Sequence, residues 1–175
     1  MHILIAEDNC VYQKVLEKII ARVDPGSTCT IVDDGKQALD YLASPPAACP
    51  RPDLILMDIA MPVLDGYDAT AVIRTQLPFI TDTKIATTPV VAMHTGSIVH
   101  QHMALRQRGF DDALEKPIRP NTVKQLLEFW VRRRIVLSPV PGPGRGLGLG
   151  GMRRDIVTMP PLVQVRGYKG PKSAL

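Results

Sequence analysis

Two strand-sized apolar runs in this chain stop abruptly on acids. His2-Ile-Leu-Ile-Ala6 runs into Glu7-Asp8, and Leu54-Ile-Leu-Met57 runs into Asp58. Short runs that are apolar at nearly every position read as strands buried on both faces, the pattern of a parallel sheet covered by helices above and below. Around them the helical and extended patterns alternate. Asn9 can cap a helix in which Val11, Val15, Leu16, Ile19, Ile20 and Val23 recur at helical spacing, and Pro25-Gly26 stops it. Thr28 to Val32 is β-rich, and Gly35 to Ala43 reads as a short helix. A proline-rich loop follows, then a third strand over Asp53 to Asp58. A third helix is expected near Tyr67 to Gln76; Leu77-Pro78 breaks it, and a largely polar loop comes next. Pro89 to Met93 reads as strand four, Ser97 to Arg108 as helix four ended by Gly109, and Ala113 to Glu115 as strand five. Asn121 is placed to cap a last helix with Val123, Leu126, Leu127, Trp130 and Val131 on one side. Strand–helix units repeated in this way predict an α/β fold, a doubly wound five-stranded parallel sheet with helices on both faces.

Open parallel sheets carry their functional crevice at the carboxyl ends of the strands. At those ends stand Glu7-Asp8, Asp58, His94-Thr95 and Lys116. Neighbouring carboxylates raise one another's pKa unless something neutralises them. A divalent cation does so, and all-oxygen ligands suit Mg²⁺, which commonly bridges carboxylates to a phosphate. A lysine opposite supplies a compact positive charge for phosphate oxygens. A carboxylate held beside the metal can serve as the nucleophile that accepts a phosphoryl group. Any one of these acids alone would read as a helix cap or a solvated loop residue. Acids at the ends of two strands, with Lys116-Pro117 at a third, make that reading weak.

Composition sets the limits of this site. Up to Leu137 there are 15 basic and 16 acidic residues, a net of −1; from Ser138 there are 6 and 1, a net of +5. The same tail holds 8 of the 13 glycines, and Ser138 to Gly151 alternates Gly and Pro too densely for helix or strand. The expected organisation is a domain over residues 1–137 and a Gly/Pro-rich, basic, disordered tail over 138–175. Six basic residues in that tail form no dense patch, so nucleic-acid binding is not expected. No apolar run approaches the roughly 18 residues of a membrane helix, and the first residues lack the basic start of a signal peptide. Cys10, Cys29 and Cys49 are odd in number and have no CxxC spacing. They read as ordinary thiols in a reducing compartment, and the expected location is cytoplasmic, with a nuclear one compatible.

Four segments together resemble the receiver domain of two-component response regulators: Ile3-Leu-Ile-Ala-Glu-Asp-Asn9, Asp53-Leu-Ile-Leu-Met-Asp-Ile-Ala-Met-Pro-Val-Leu-Asp-Gly66, Thr88-Pro-Val-Val-Ala-Met93 and Gly109-Phe-Asp-Asp-Ala-Leu-Glu-Lys-Pro117. The Glu-Asp-Asn start and the Met-Pro-Val-Leu-Asp-Gly loop look most like receivers of hybrid histidine kinases. The resemblance implies the flavodoxin-like strand order 2-1-3-4-5. It implies Asp58 as phosphoacceptor, Mg²⁺ held by Glu7, Asp8, Asp58 and the backbone carbonyl of Ala60, and Lys116 paired with the phosphoryl group. It implies as partner a sensor or hybrid histidine kinase, or a histidine phosphotransfer protein. It also leaves open a homodimer through helix four, strand five and the last helix. The chain would help catalyse its own phosphorylation without being a turnover enzyme.

Two positions depart from the family pattern. The place of the switch hydroxyl, directly after the strand-four run, holds His94, with Thr95 one residue later. Either Thr95 serves through a bulge, or His94 faces the phosphate. Ala113 stands where many receivers carry an aromatic ring. Both departures suit an alternative, a receiver-like interaction module that does not signal by phosphorylation; the acids and Lys116 count against it. A haloacid-dehalogenase-type phosphatase is set aside, because Ala60 stands where that chemistry needs a second acid.

Overall fold

In the computed structural model, which describes residues 1–96 and 102–137, the chain alternates strand and helix. The elements are β1 (His2–Ala6), α1 (Cys10–Val23), β2 (Thr28–Val32), α2 (Gly35–Ala43), β3 (Leu54–Asp58), α3 (Gly66–Thr75), α4 (Thr83–Thr87), β4 (Val90–Thr95), α5 (His102–Gln107), β5 (Asp112–Lys116) and α6 (Pro120–Leu137). The strands form one five-stranded sheet in the order β2-β1-β3-β4-β5, with every pairing parallel. The expected fold class and strand order are both present.

Successive residues of a strand point to opposite faces, so each strand feeds two cores. On one face Leu4, Ile55, Met57, Val90 and Ala92 pack under α2, α3 and α5 through Leu42, Ile73 and Leu105. On the other, Ile3, Ile5, Leu54, Leu56 and Met93 pack under α1 and α6 through Leu16, Ile20, Val123 and Leu127. All of these strand residues are fully buried. Burial of each such side chain stabilises the fold by about 1.5–3 kcal/mol before entropy is counted.

Several local expectations change. The loop after Leu77-Pro78 contains α4, a helix of five residues, too short to show a periodic pattern. It forms because the Asp82 side chain accepts from the backbone N–H of Lys84 and Ile85, and because Ile85 is buried. Strand four starts at Val90 and extends to Thr95, beyond the expected Met93, since its pairing with β5 continues through His94 and Thr95. Helix four is seen over His102–Gln107, and the 97–101 part of its expected span lies outside the described residues. The last helix begins at Pro120, ahead of Asn121. Pro120 lacks the N–H that a first helical turn leaves unused, and Arg119 O accepts from Thr122 and Val123, so Asn121 is not the cap. On α1, Val11 and Val15 are 65% and 40% exposed, leaving Leu16, Ile19 and Ile20 as its buried stripe. The expected tail over 138–175 lies outside the described residues.

Candidate functional site

The carboxyl ends of β1, β3 and β5 bring Glu7, Asp8, Asp58 and Lys116 together. Glu7 is fastened by its backbone: its N–H donates to Val32 O, and its carbonyl accepts from Gln13 Nε2 at 2.6 Å. Asn9 caps α1 by accepting from Val11 and Tyr12 N–H, which turns the chain away as soon as the acids are passed. Asp58 is held from below by Gly66. A Cβ there would lie 2.1 Å from the Asp58 carbonyl oxygen, and Gly66 N–H donates to Ile59 O. Any side chain at 66 would push the Asp58 backbone out of place.

Glu7, Asp58 and Lys116 are buried, and Asp8 is exposed. Lys116 Nζ donates to Asp58 Oδ2 at 2.8 Å and forms an ion pair with Glu7 Oε2 at 2.7 Å. Glu7 Oε2 is buried, and its charge is met by this ion pair. Burial pushes the Glu7 pKa up, helped by the Asp58 charge and opposed by Lys116. Burial pulls the Lys116 pKa down, but hydrogen bonds and charge from Asp58 and Glu7 outweigh it, and the net shift is upward. The ammonium is thereby kept charged.

One carboxylate oxygen each from Glu7, Asp8 and Asp58 lies within 4.8 Å of the others, close enough to share an ion. Three carboxylates gather beside one ammonium, and the ligands are all oxygen. These features fit a hard divalent cation such as Mg²⁺. Ala60 is exposed two residues beyond Asp58, at the start of the loop that carries Val63. Val63 has φ 66° and is 83% exposed, with Leu64 N–H bonded to Pro62 O across it, a strained tight turn on the rim of the site.

The β3–β4 register pairs Asp58 with Met93, so His94 is the next residue along, one step past the Asp58 level. His94 is buried, and its Nδ1 lies 3.1 Å from Gly96 O. A carbonyl only accepts, so Nδ1 is the donor in that contact. Thr95 is exposed and pairs with Lys116 in the β4–β5 register. The Lys116–Pro117 peptide is cis. Ala113 is partly buried against the α2–α3 side of the sheet.

Two contributors were not singled out from the sequence. Gln13 ties Glu7 to Asp33, and Tyr12 lays its ring over the Lys116 ammonium, 4.7 Å from the centroid. Their signal was helical phase. The first turn of α1 stands directly over the acids, so residues 12 and 13 look back across the site.

Comparison with known proteins agrees with this geometry. Residues 3–128 match the family of the response regulator receiver domain. The chain is 33% identical over 133 residues to hybrid signal transduction histidine kinase I of Dictyostelium discoideum, covering 76% of this chain and 7% of that protein. It is 34% identical over 145 residues to transcription factor SKN7 of Saccharomyces cerevisiae, covering 82% of this chain and 21% of that protein. The chain thus spans no more than about a fifth of the length of these curated relatives. Among solved structures, the receiver domain of sensor histidine kinase PA1611 from Pseudomonas aeruginosa, with a magnesium ion coordinated in its active-site cleft, superposes with a TM-score of 0.60. That match has 32% identity and covers 75% of this chain and 97% of that one. No helix among the described residues is long and apolar enough to cross a membrane. With its parallel 2-1-3-4-5 sheet, its acids gathered at the carboxyl edge and this match over most of its length, the chain belongs to the response regulator receiver domain family of two-component and phosphorelay systems.

Proposed function

We propose that this chain is a phosphoacceptor receiver that takes a phosphoryl group from a phosphohistidine onto Asp58. The observation that carries the reading is the 2.8 Å contact between Lys116 Nζ and Asp58 Oδ2 inside an acid trio able to share one ion. In this reading Glu7, Asp8, Asp58 and the Ala60 carbonyl hold Mg²⁺, which would supply charge compensation for the transferring phosphoryl oxygens. The Asp58 carboxylate attacks phosphorus, the phosphorus–nitrogen bond to the donor imidazole breaks, and the imidazole leaves with its electron pair. Lys116 neutralises the charge gathered on the phosphoryl oxygens. His94, next along the strand from the Asp58 level, takes the switch place ahead of exposed Thr95.

The donor is a sensor or hybrid histidine kinase, or a histidine phosphotransfer protein, in the cytoplasm or nucleus. The phosphorylatable unit is residues 1–137, and the chain is a self-modifying signalling protein with no turnover on an external substrate. Ala60 can orient no water towards the acyl phosphate, which favours slow hydrolysis and onward transfer. The test is intact-mass analysis after acetyl phosphate or phosphoramidate with Mg²⁺. One added phosphate is expected, lost with EDTA and lost in Asp58→Asn; a full adduct on Asp58→Asn would overturn the assignment.

A further inference from the structure

Among the described residues, the ammonium of Lys116 has three neighbours of two kinds. Glu7 Oε2 lies 2.7 Å away and Asp58 Oδ2 2.8 Å away, and the Tyr12 ring covers it with its centroid at 4.7 Å. Glu7 and Asp58 also belong to the trio that can hold a divalent cation. A metal ion and the ammonium therefore draw on the same carboxylates, and the two cations repel each other at short range. Water can do little to stabilise a displaced ammonium, because Lys116 is only 9% exposed. The face of an aromatic ring attracts a cation through its quadrupole and carries no charge. It can keep the ammonium close to Asp58 without competing for the metal.

The geometry assigns Tyr12 as a positioning residue that acts through Lys116, its ring being the berth that keeps the ammonium beside Asp58 when a divalent cation takes the carboxylate oxygens. The assignment deepens the phosphoacceptor reading and rests on it for the role of Lys116 in transfer. Tyr12 is fixed for this task. Its N–H is bonded to the Asn9 side chain in the first turn of α1, and it stands five residues after Glu7, on the helix that starts where β1 ends. Neither a Leu nor a Met side chain at this position offers a cation a π face, whereas Phe keeps the face and loses only the hydroxyl.

The test is a double-mutant cycle on the full chain, read by calorimetric titration with Mg²⁺ alone. Tyr12→Leu and Tyr12→Met are expected to weaken Mg²⁺ binding by roughly two- to tenfold, the strength of one cation–π contact in a partly desolvated site. Tyr12→Phe is expected to stay within about twofold of the parent chain. In a Lys116→Met background, Tyr12→Leu is expected to change nothing, because the cation that the ring serves is gone. At saturating Mg²⁺, phosphoramidate labelling should slow in Tyr12→Leu and recover in Tyr12→Phe. Melting curves identify any variant that fails to fold, and the Met variant preserves side-chain bulk if Leu does not. An unchanged Mg²⁺ affinity in both Tyr12→Leu and Tyr12→Met overturns the assignment. So does an equal loss in the Lys116→Met background, or a Phe variant as weak as Leu. Failure of the phosphoacceptor reading would look different: Asp58→Asn would still label, while the Mg²⁺ cycle would read as before.

Discussion

The two edges of the sheet use the same side chains to opposite ends. At the amino edge, ahead of β3, β4 and β5, each acid has a base. Asp53 accepts from Lys84 at 2.7 Å and from the His2 backbone N–H at 2.9 Å. Asp82 accepts from Arg51 at 2.8 Å, and Asp111 from Arg74 at 2.7 Å and from Val90 N–H at 2.8 Å. At the carboxyl edge Glu7 and Asp58 share Lys116, and Asp8 stands beside them. Proton affinities depend on burial as well as on this pairing. Burial works to raise the pKa of Asp82, but donors from Ile85, Arg51 and Lys84 hold it below the ordinary value. Burial raises that of Glu7, and Lys116 does not undo it. Asp111 is deep enough that burial keeps its pKa up in spite of Arg74. Ionic side chains satisfied by their own chain hold loops to strands; carboxylates left in surplus repel one another until a cation arrives. The amino edge is architecture, the acid surplus at the carboxyl edge fits the cation site proposed above, and stoichiometry separates them.

The most damaging way to break the comparison is Arg74→Ala. Arg74 donates to Gly109 O, Ala86 O, Thr88 O and the Asp111 carboxylate, joining α3 to the chain on either side of β4. Its loss leaves Asp111 partly buried without its base and is expected to cost about 3–4 kcal/mol in urea unfolding. Mg²⁺ affinity of the folded fraction should be unchanged; a large drop would mean that the two edges are coupled.

A sharper version compares acids of the two edges one at a time. Asp53→Asn should lower the melting temperature, with a cost of about 1–2 kcal/mol, because a paired carboxylate is weakened. Asp8→Asn should raise it in EDTA, with a gain of up to about 1 kcal/mol, because repulsion is relieved, and should weaken Mg²⁺ binding. Equal destabilisation by both would erase the distinction drawn here. Next in size is the exposed pair Lys36–Asp40, whose side chains are 57% and 63% exposed. Lys36→Ala should cost no more than about 0.5 kcal/mol by thermal melting, which sets the scale for an ion pair with no structural duty.

The smallest expected effect concerns pH at the amino edge. His2 bonds Thr28 Oγ1 and the Tyr41 hydroxyl, each at 3.0 Å, and burial lowers its pKa below 6.5, partly offset by Asp53. A depressed folded pKa means that the folded chain binds fewer protons than the unfolded one. The contribution of His2 is therefore present above pH 6.5 and lost as pH falls through the folded value. Denaturant midpoints of the parent chain should fall slightly more than those of His2→Gln between pH 7.5 and pH 5.5, and parallel curves would remove His2 from the account.

How far the sequence alone reaches differs between these edges. The inner strands and the α/β class were legible because buried parallel strands are short, uniformly apolar runs, as β1 and β3 show in Ile3 to Ala6 and Leu54 to Met57; the edge strands β2 and β5 are mixed in polarity and were read from β-rich composition and from their place in the strand–helix alternation. The acids were legible for the same reason: a charge that interrupts such a run must sit where the strand leaves the core. The strand order came from resemblance, since periodicity says nothing about which strands are neighbours.

What only the tertiary structure decided lies wherever two distant segments meet. The pairing of Arg74 with Asp111 spans 37 residues and that of Arg51 with Asp82 spans 31, and no local pattern announces either. A five-residue helix such as α4 is too short for hydrophobic periodicity, and only the burial of Ile85 and its Asp82 cap reveal it. Val11 and Val15 fit the apolar spacing of α1 yet stay outside, while Leu16, Ile19 and Ile20 are its buried residues. Helix spacing places side chains on a face, but the extent of that face which is buried depends on the surface packed against it. Tyr12 follows the same rule: the sequence places it in the first turn of a helix, and only the close of β5 brings Lys116 beneath its ring.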